Sequence, residues 1–370
     1  MRLVLFMGAG FSKSANFPLM REFSMFSQNL DGYEDHILCL HKCIEYAQRT
    51  RAYIQGDIYN VEYLMSVLSL AAITSPDLAF PSQGKSIRVG EALRKLKELV
   101  WRVYSRMDSI EAWEGAYRLF TRSLKQFLTR GDNSIDIITT NYDGLPEMIM
   151  FALDRKATMP VEFETLPLPR RDYAPRGYCS VSGIGGKKLY EKSGRKNLHK
   201  LHGSVNWFVK NEEKSWKVYC WDDTFPPSKE GKVFHKPFSA SEAATIPEGY
   251  SPVIVPPSVI KEYQIPAIKK SWEDASKAIG DADKIIFIGY SFPPSDTIMK
   301  FFLGTSLANN HKGCRIIIID KNANEVLKSL KEIFVDNICS YSIEQISAEF
   351  QNLFTVPFQP WTKFVDFIER

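Results

Sequence analysis

The sequence has no CxxC pair, no long apolar run, no internal repeat and little net charge. Its cysteines stand apart at Cys39, Cys43, Cys179, Cys220, Cys314 and Cys339. That spacing offers neither a disulfide framework nor paired zinc ligands. It reads as reduced thiols of a cytosolic protein, some of them buried. The most helix-like apolar stretch, residues 63–73, is interrupted by Ser66 and Ser69, whereas a spanning helix needs about 20 apolar residues. The apolar run after Met1 stops at Gly8, short of the roughly 7–15 residues of a signal-peptide core. A cytoplasmic protein without a membrane segment is therefore expected. A formal charge of +4 over 370 residues gives no reason to propose nucleic-acid or membrane binding. With 44% hydrophobic and 13% aromatic residues, the chain is not disordered and is long enough for about two domains.

Five short apolar runs read as strands buried on both faces, as in a parallel sheet: residues 3–7, 135–139, 253–255, 284–288 and 315–319. Residues 197–201 form a weaker sixth. Between the first two runs lie more than a hundred residues of helical character, including 91–101 and 116–128, longer than a crossover needs. The expected fold is α/β: a Rossmann-like parallel sheet with a large helical insertion and a smaller irregular/β insertion. Residues 1–24 and 131–340 would form the core, 25–130 the helical insertion and 341–370 a C-terminal extension packed on the core. Within the core, about 157–250 reads as irregular, with an aromatic hairpin over 207–221. Residues 183–194, carrying Lys187, Lys188 and Lys192, read as a solvated loop. After the strand ending at Asp320, a helix over 323–333, a short strand and a terminal helix are expected.

Four motifs sit at predicted strand ends. Gly8-Ala9-Gly10-Phe11-Ser12 follows the first strand, where glycines let a backbone approach a pyrophosphate closely. A Gly-rich turn with no ligand is the competing reading. Thr139-Thr140-Asn141-Tyr142-Asp143 ends the second strand. Asn141 offers a donor and an acceptor to a ribose or a water, while Asp143 also suits an Asx cap before a helix. Lys200-Leu201-His202-Gly203-Ser204 offers an imidazole that can take a proton; His199, three residues earlier, is read as structural. Gly289-Tyr290-Ser291-Phe292-Pro293-Pro294-Ser295-Asp296 follows the strand over 284–288. Asp320, ending the next strand, suits an adenosine ribose, with a capping role as its alternative.

Residues 8–21 resemble, without a gap, the sirtuin cofactor-loop pattern GAGxSxxxGIPDFR: Gly8, Ala9, Gly10, Ser12, Pro18 and Arg21 match, and Asn16, Leu19 and Met20 depart. The TTNYD segment is similar to the sirtuin TQNID, KLHGS to xLHGS, and residues 289–296 to the GYSxPxxD form of bacterial sirtuin-like domains. This set resembles the sirtuin-like NAD-hydrolase branch of bacterial antiphage systems, which lacks the zinc ribbon of deacylase sirtuins. The resemblance implies NAD as substrate, no metal, and water as the attacking group. It implies catalytic roles for Asn141, His202 and Asp143, with Asp143 accepting from the leaving carboxamide. It implies cofactor contacts from Gly8, Ala9, Gly10, Ser12, Arg21, Gly289 and Ser291. A homo-oligomer, or a complex with a separate trigger protein such as a translocase-type ATPase or a nucleotide-sensing partner, would restrain the activity. Protein deacylation, ADP-ribosyl transfer and non-catalytic sensing of NAD or ADP-ribose are the competing functions.

The missing CxxC pairs generate one expectation directly, because a structural zinc site wants four such ligands. Elemental analysis of purified protein should find no stoichiometric zinc, and a chelator should leave the thermal midpoint unchanged. One tightly held zinc per chain would overturn this reading.

Overall fold

The computed structural model describes residues 1–28, 30–50, 59–82, 85–105, 116–154, 195–211, 218–220, 246, 249–257, 265–293, 296–333, 342–349, 353 and 368. The expected loop at 183–194 lies outside them. So does the expected terminal helix, apart from Leu353 and Ile368.

The chain opens with β1 (Arg2–Met7) and a short helix, α1 (Ala9–Lys13). A 3-10 turn at Met20–Glu22 leads into α2 (Phe23–Ser27). Next come α3 (Glu34–Thr50) and α4 (Val61–Thr74). Asn60 starts α4: its side-chain oxygen accepts from the Glu62 and Tyr63 amides at 3.0 and 3.3 Å, filling donors that a helix start leaves without intrahelical partners. A hairpin of β2 (Ala79–Ser82) and β3 (Lys85–Arg88) precedes α5 (Val89–Tyr104) and α6 (Arg118–Leu128). That hairpin is an addition to the helices expected here; four-residue strands carry too little alternation to be read from sequence.

After β4 (Ser134–Thr139), α7 (Leu145–Asp154) and β5 (Arg195–Lys200), three strands form a separate antiparallel sheet. They are β6 (Gly203–Lys210), β7 (Val218–Cys220) and β8 (Tyr250–Ile254), in the order β7-β6-β8. In the antiparallel register of β6 and β7, Trp207 pairs with Cys220 and Phe208 with Tyr219, so the two strands of the expected aromatic hairpin are paired. The chain continues through α8 (Pro266–Gly280), β9 (Lys284–Ile288), α9 (Thr297–Ala308), β10 (Arg315–Asp320), α10 (Ala323–Ile333) and β11 (Ser342–Ser347).

Six strands pair in parallel in the order β11-β10-β9-β1-β4-β5. Counted along the chain within this sheet, that is the doubly wound Rossmann order. The order reverses between β1 and β9, a topological switch point at which sheets of this kind hold a binding crevice beyond the strand ends. The expected strand at 253–255 does not join this sheet. β8 pairs antiparallel with β6 instead. It reads as doubly buried because it lies between two cores, Ile254 facing one and Val253 and Val255 the other.

Alternation along β1 builds those cores. Leu3, Leu5 and Met7 join the helices of the insertion, including Trp101, Phe120 and Phe127. Val4 and Phe6 join Ile268, Trp272, Leu303 and Val326 of α8, α9 and α10. Burial of each such side chain contributes about 1.5–3 kcal/mol, against about 0–1 kcal/mol for an exposed ion pair. The apolar faces therefore decide the register. Cys39, Cys43 and Cys314 are buried thiols. No helix among the described residues is long and apolar enough to cross a membrane.

One turn in this frame admits only glycine. Gly203 leaves β5 for β6 at φ +85°, and an added Cβ would lie 2.0 Å from the Val253 carbonyl oxygen. Gly203→Ala should destabilise the protein by about 2–5 kcal/mol, from left-handed strain plus overpacking. Urea denaturation measures it; a loss below 1 kcal/mol, on the order of an ordinary surface change, would contradict this account.

Candidate active site

The crevice floor is backbone packed on backbone. Gly8 donates to the Ile288 carbonyl at 3.0 Å, and Gly10 donates to the Gly289 carbonyl at 2.8 Å. A Cβ on Gly8 would lie 2.6 Å from that same carbonyl oxygen, and one on Gly10 2.8 Å from the Gly289 Cα. Gly289 itself holds φ +61°. The glycines are thus required by the meeting of two loops, and the Gly8 and Gly10 amides are engaged there. Farther along the first loop, Asn16 takes φ 62°. It stands where the sirtuin pattern has glycine, and asparagine tolerates that left-handed backbone.

Thr139 couples β4 to this floor. Its hydroxyl donates to the Met7 carbonyl at 2.9 Å and accepts from the Asn141 amide at 3.0 Å. The Asn141 side chain then donates through Nδ2 to the Gly8 carbonyl and the Ser12 hydroxyl, both at 2.9 Å. With both amide hydrogens committed, its Oδ1 is the group left to accept from a substrate hydroxyl or a water. Ser12 in turn hydrogen-bonds Asp143. Asp143 also accepts from the Leu145 amide at 3.0 Å, so the Asx cap at the start of α7 is present. Burial pushes its carboxyl above the usual range; Lys200, Ser12 and the Leu145 amide oppose that shift, and Glu147 adds to it.

Lys200 is fully buried. Its ammonium donates to the Asp143 carbonyl at 2.6 Å and pairs with Glu147 at 3.0 Å. Ser204 donates to the same carboxylate at 2.8 Å. Lys200 therefore ties the strand end that carries His202 to the Asn141–Asp143 loop by a hydrogen bond and to α7 by an ion pair. The sequence reading assigned no role to Lys200 or Glu147.

His202 follows directly, 2% exposed. Its ring lies between Tyr142 and Trp272, at centroid distances of 6.3 and 6.2 Å. Its carbonyl accepts from the Val255 amide at 2.9 Å, and Trp272 donates to the Leu201 carbonyl at 2.8 Å. His199 is used differently: Nε2 meets Asp136 Oδ1 at 3.0 Å, with Asn197 on the same oxygen at 2.7 Å.

The remaining predicted site residues lie on the loops after β9 and β10 and on the 3-10 turn. In the Gly289–Asp296 segment, Tyr290 donates to Asp296 at 2.7 Å, and Asp296 caps α9. Ser291 is exposed, and Phe292 holds φ 51°. Asp320 ends β10, where its carboxylate accepts from the Asn322 amide at 2.8 Å. Arg21 is exposed on the 3-10 turn, beside a Lys13–Glu22 ion pair. Hydrogen bonds thus bring Gly8, Ser12, Asn141 and Asp143 together. Gly10 and Gly289 meet beneath them, His202 joins through Tyr142, and Ala9 opens α1. Ser291, Asp320 and Arg21 stand on separate segments: the loop after β9, the end of β10 and the 3-10 turn.

The insertion carries a further residue that sequence reasoning missed. Glu62, in the first turn of α4, adds to burial in holding the Tyr142 hydroxyl well above its usual range. No motif surrounds it, and its neighbours come from distant segments.

No protein-family model and no curated relative matches the chain. Among solved structures it aligns with a Sir2 homologue in complex with ADP-ribose, at 13% identity and a TM-score of 0.39, over 98% of this chain and 93% of that one. Sir2Tm bound to a propionylated peptide aligns at 12% identity and 0.34, over 95% and 89%. A Sir2 complex with a p53 peptide and NAD+ aligns at 12% and 0.36, over 95% and 89%.

The buried ion pair has a measurable signature. Lys200→Met leaves the Glu147 carboxylate buried without its counter-charge and should cost about 3–5 kcal/mol. Replacing both, as Lys200→Met with Glu147→Leu, should recover most of that loss in urea denaturation. Equal stability of the single and double variants would show that the pair does not act as a unit.

Proposed function

We propose that this chain is an NAD+ glycohydrolase that cleaves NAD+ to nicotinamide and ADP-ribose in the crevice between β1 and β9. The observation that carries the reading is the fixed Asn141 amide. Its nitrogen is tied to Gly8 and Ser12, so its oxygen can face the substrate, beside His202 at the neighbouring strand end. This supports ribose and water recognition at a topological switch point, where open α/β sheets bind ligands.

The chemistry suits such a site. Nicotinamide leaves as a neutral molecule from a cationic precursor, so its departure needs no general acid. The C1′–N bond breaks through an oxocarbenium-like state, its electron pair leaving with nicotinamide. A water oxygen then bonds C1′ and its proton passes to a base. Asn141 orients the ribose and the water, and His202 takes the proton. Asp143 accepts from the carboxamide of the leaving group. Ala9, Gly10, Ser12 and Gly289 lie under the pyrophosphate, with the Gly8 carbonyl fixing Asn141. Ser291, Asp320 and Arg21 contact the phosphate and ribose region from the rims. The wider role belongs to the same proposal: a cofactor-depleting effector of antiphage defence, held back by self-assembly or by a trigger protein.

Purified protein incubated with NAD+ and analysed by chromatography tests the activity. Nicotinamide and ADP-ribose should appear in equal amounts. Asn141→Ala and His202→Ala should each slow their release by about 10²–10⁴-fold while the circular-dichroism spectrum stays that of the parent. Deacylation of an acyl-lysine peptide, a mass gain on a protein acceptor, or binding with NAD+ left intact would each replace this reading.

A further inference from the structure

β4 lies between β1 and β5 in the sheet, so the loop that follows it has a neighbour on each side. Toward β1 it sends the Asn141 side chain, which donates to the Gly8 carbonyl and the Ser12 hydroxyl. Toward β5 and β6 it turns backbone carbonyls. The Leu201 amide donates to the Thr139 carbonyl and the Val205 amide to the Tyr142 carbonyl, both at 2.9 Å. Lys200 adds its ammonium, which reaches the Tyr142 carbonyl at 3.4 Å and the Asp143 carbonyl at 2.6 Å.

In an extended strand successive residues face opposite sides. Two consecutive carbonyls converging on one ammonium therefore mark a bend, and a bend is present at residues 143–144. Carbonyl dipoles held side by side repel each other, and a cation between them offsets that repulsion. An ammonium has three donors. The third goes to Glu147 at 3.0 Å, whose carboxylate also accepts from Ser204 at 2.8 Å. All of this is buried: Lys200 and Ser204 fully, Glu147 nearly so.

Such a pair is a poor device for stability alone. Taking two ions out of water offsets much of what their attraction returns, and well-packed apolar residues of the same volume serve stability equally well. Apolar residues cannot draw two carbonyls of a site loop to one point. We propose that Lys200 is a positioning residue for the cleavage reaction: by holding the Tyr142 and Asp143 carbonyls toward β5, it fixes the loop with the Asn141 side chain turned to Ser12 and its oxygen to the substrate. This rests on the NAD+-cleaving reading above. Glu147 and Ser204 hold the ammonium in place. The alternative is an ion pair that serves the fold and nothing else.

The double variant Lys200→Met with Glu147→Leu separates the two roles, because it restores stability without restoring the ammonium. If that pair does not bring the urea midpoint back, Lys200→Gln with Glu147→Gln, a neutral pair, is measured in its place. With the midpoint recovered, kcat for NAD+ should stay about 10²-fold below the parent, the scale of a small misplacement of a group that orients the reactants. KM should rise only about fivefold. In calorimetry ADP-ribose, which keeps the ribose that Asn141 meets, should bind about fivefold more weakly, as for one misdirected hydrogen bond. ADP, which lacks that ribose, should bind as before. A role in the fold alone would return kcat together with the midpoint. The proposal is overturned if kcat of the restored variant lies within threefold of the parent, if its loss is a rise in KM alone, or if ADP weakens as much as ADP-ribose. If the parent protein releases no nicotinamide but the restored variant still weakens ADP-ribose selectively, the cleavage reading falls and the positioning role of Lys200 stands.

Discussion

Three glycine backbones meet where β1 and β9 leave the sheet, and their separation sets every other distance in the crevice. Side chains at Gly8, Gly10 or Gly289 would overlap main-chain atoms of the opposing loop. Because the loops touch directly, the Gly8 carbonyl is presented to Asn141. The same contact fixes Ser12, and through Ser12 the carboxylate of Asp143. A change of one methyl group in this floor would be felt by groups that never contact it, since a close-packed interior transmits displacement.

The helices outside the sheet hold the same loops from above. Tyr104 donates to the Pro18 carbonyl at 2.7 Å, Tyr117 donates to the Phe11 carbonyl, and Trp101 donates to the Val205 carbonyl at 2.7 Å. Each is a buried aromatic whose polar tip reaches a carbonyl of a site segment. The insertion therefore shares its core with the sheet and bonds to both the first loop and the strand after His202. Its aromatic side chains serve inward contacts at these positions.

Much of this was legible in the chain itself. Short apolar runs located five of the six parallel strands, and the motifs at their ends located Asn141, Asp143, His202 and the glycines. Partner choice was not legible: residues 253–255 are as apolar as β9, yet pair antiparallel with β6, because burial on two sides is all that a run of apolar residues encodes. Nor was the role of Lys200 readable. Lysine is ordinarily a surface residue, and its counter-charge comes from a helix 53 residues earlier. Asn16 looked like a departure and proved to keep the backbone that glycine would have taken.

The position of β1 has a consequence for synthesis. This first-made strand is central, and it is flanked by β4 and β9. Non-local pairings of this kind are slow to form, since distant segments must be brought together first. A nascent chain emerges N-terminus first, so it holds the Gly8–Ser12 loop long before β9 exists to support it. The crevice cannot close on a ribosome-bound fragment that stops short of Gly289. Such a fragment lacks the loop on which Gly8 and Gly10 are packed.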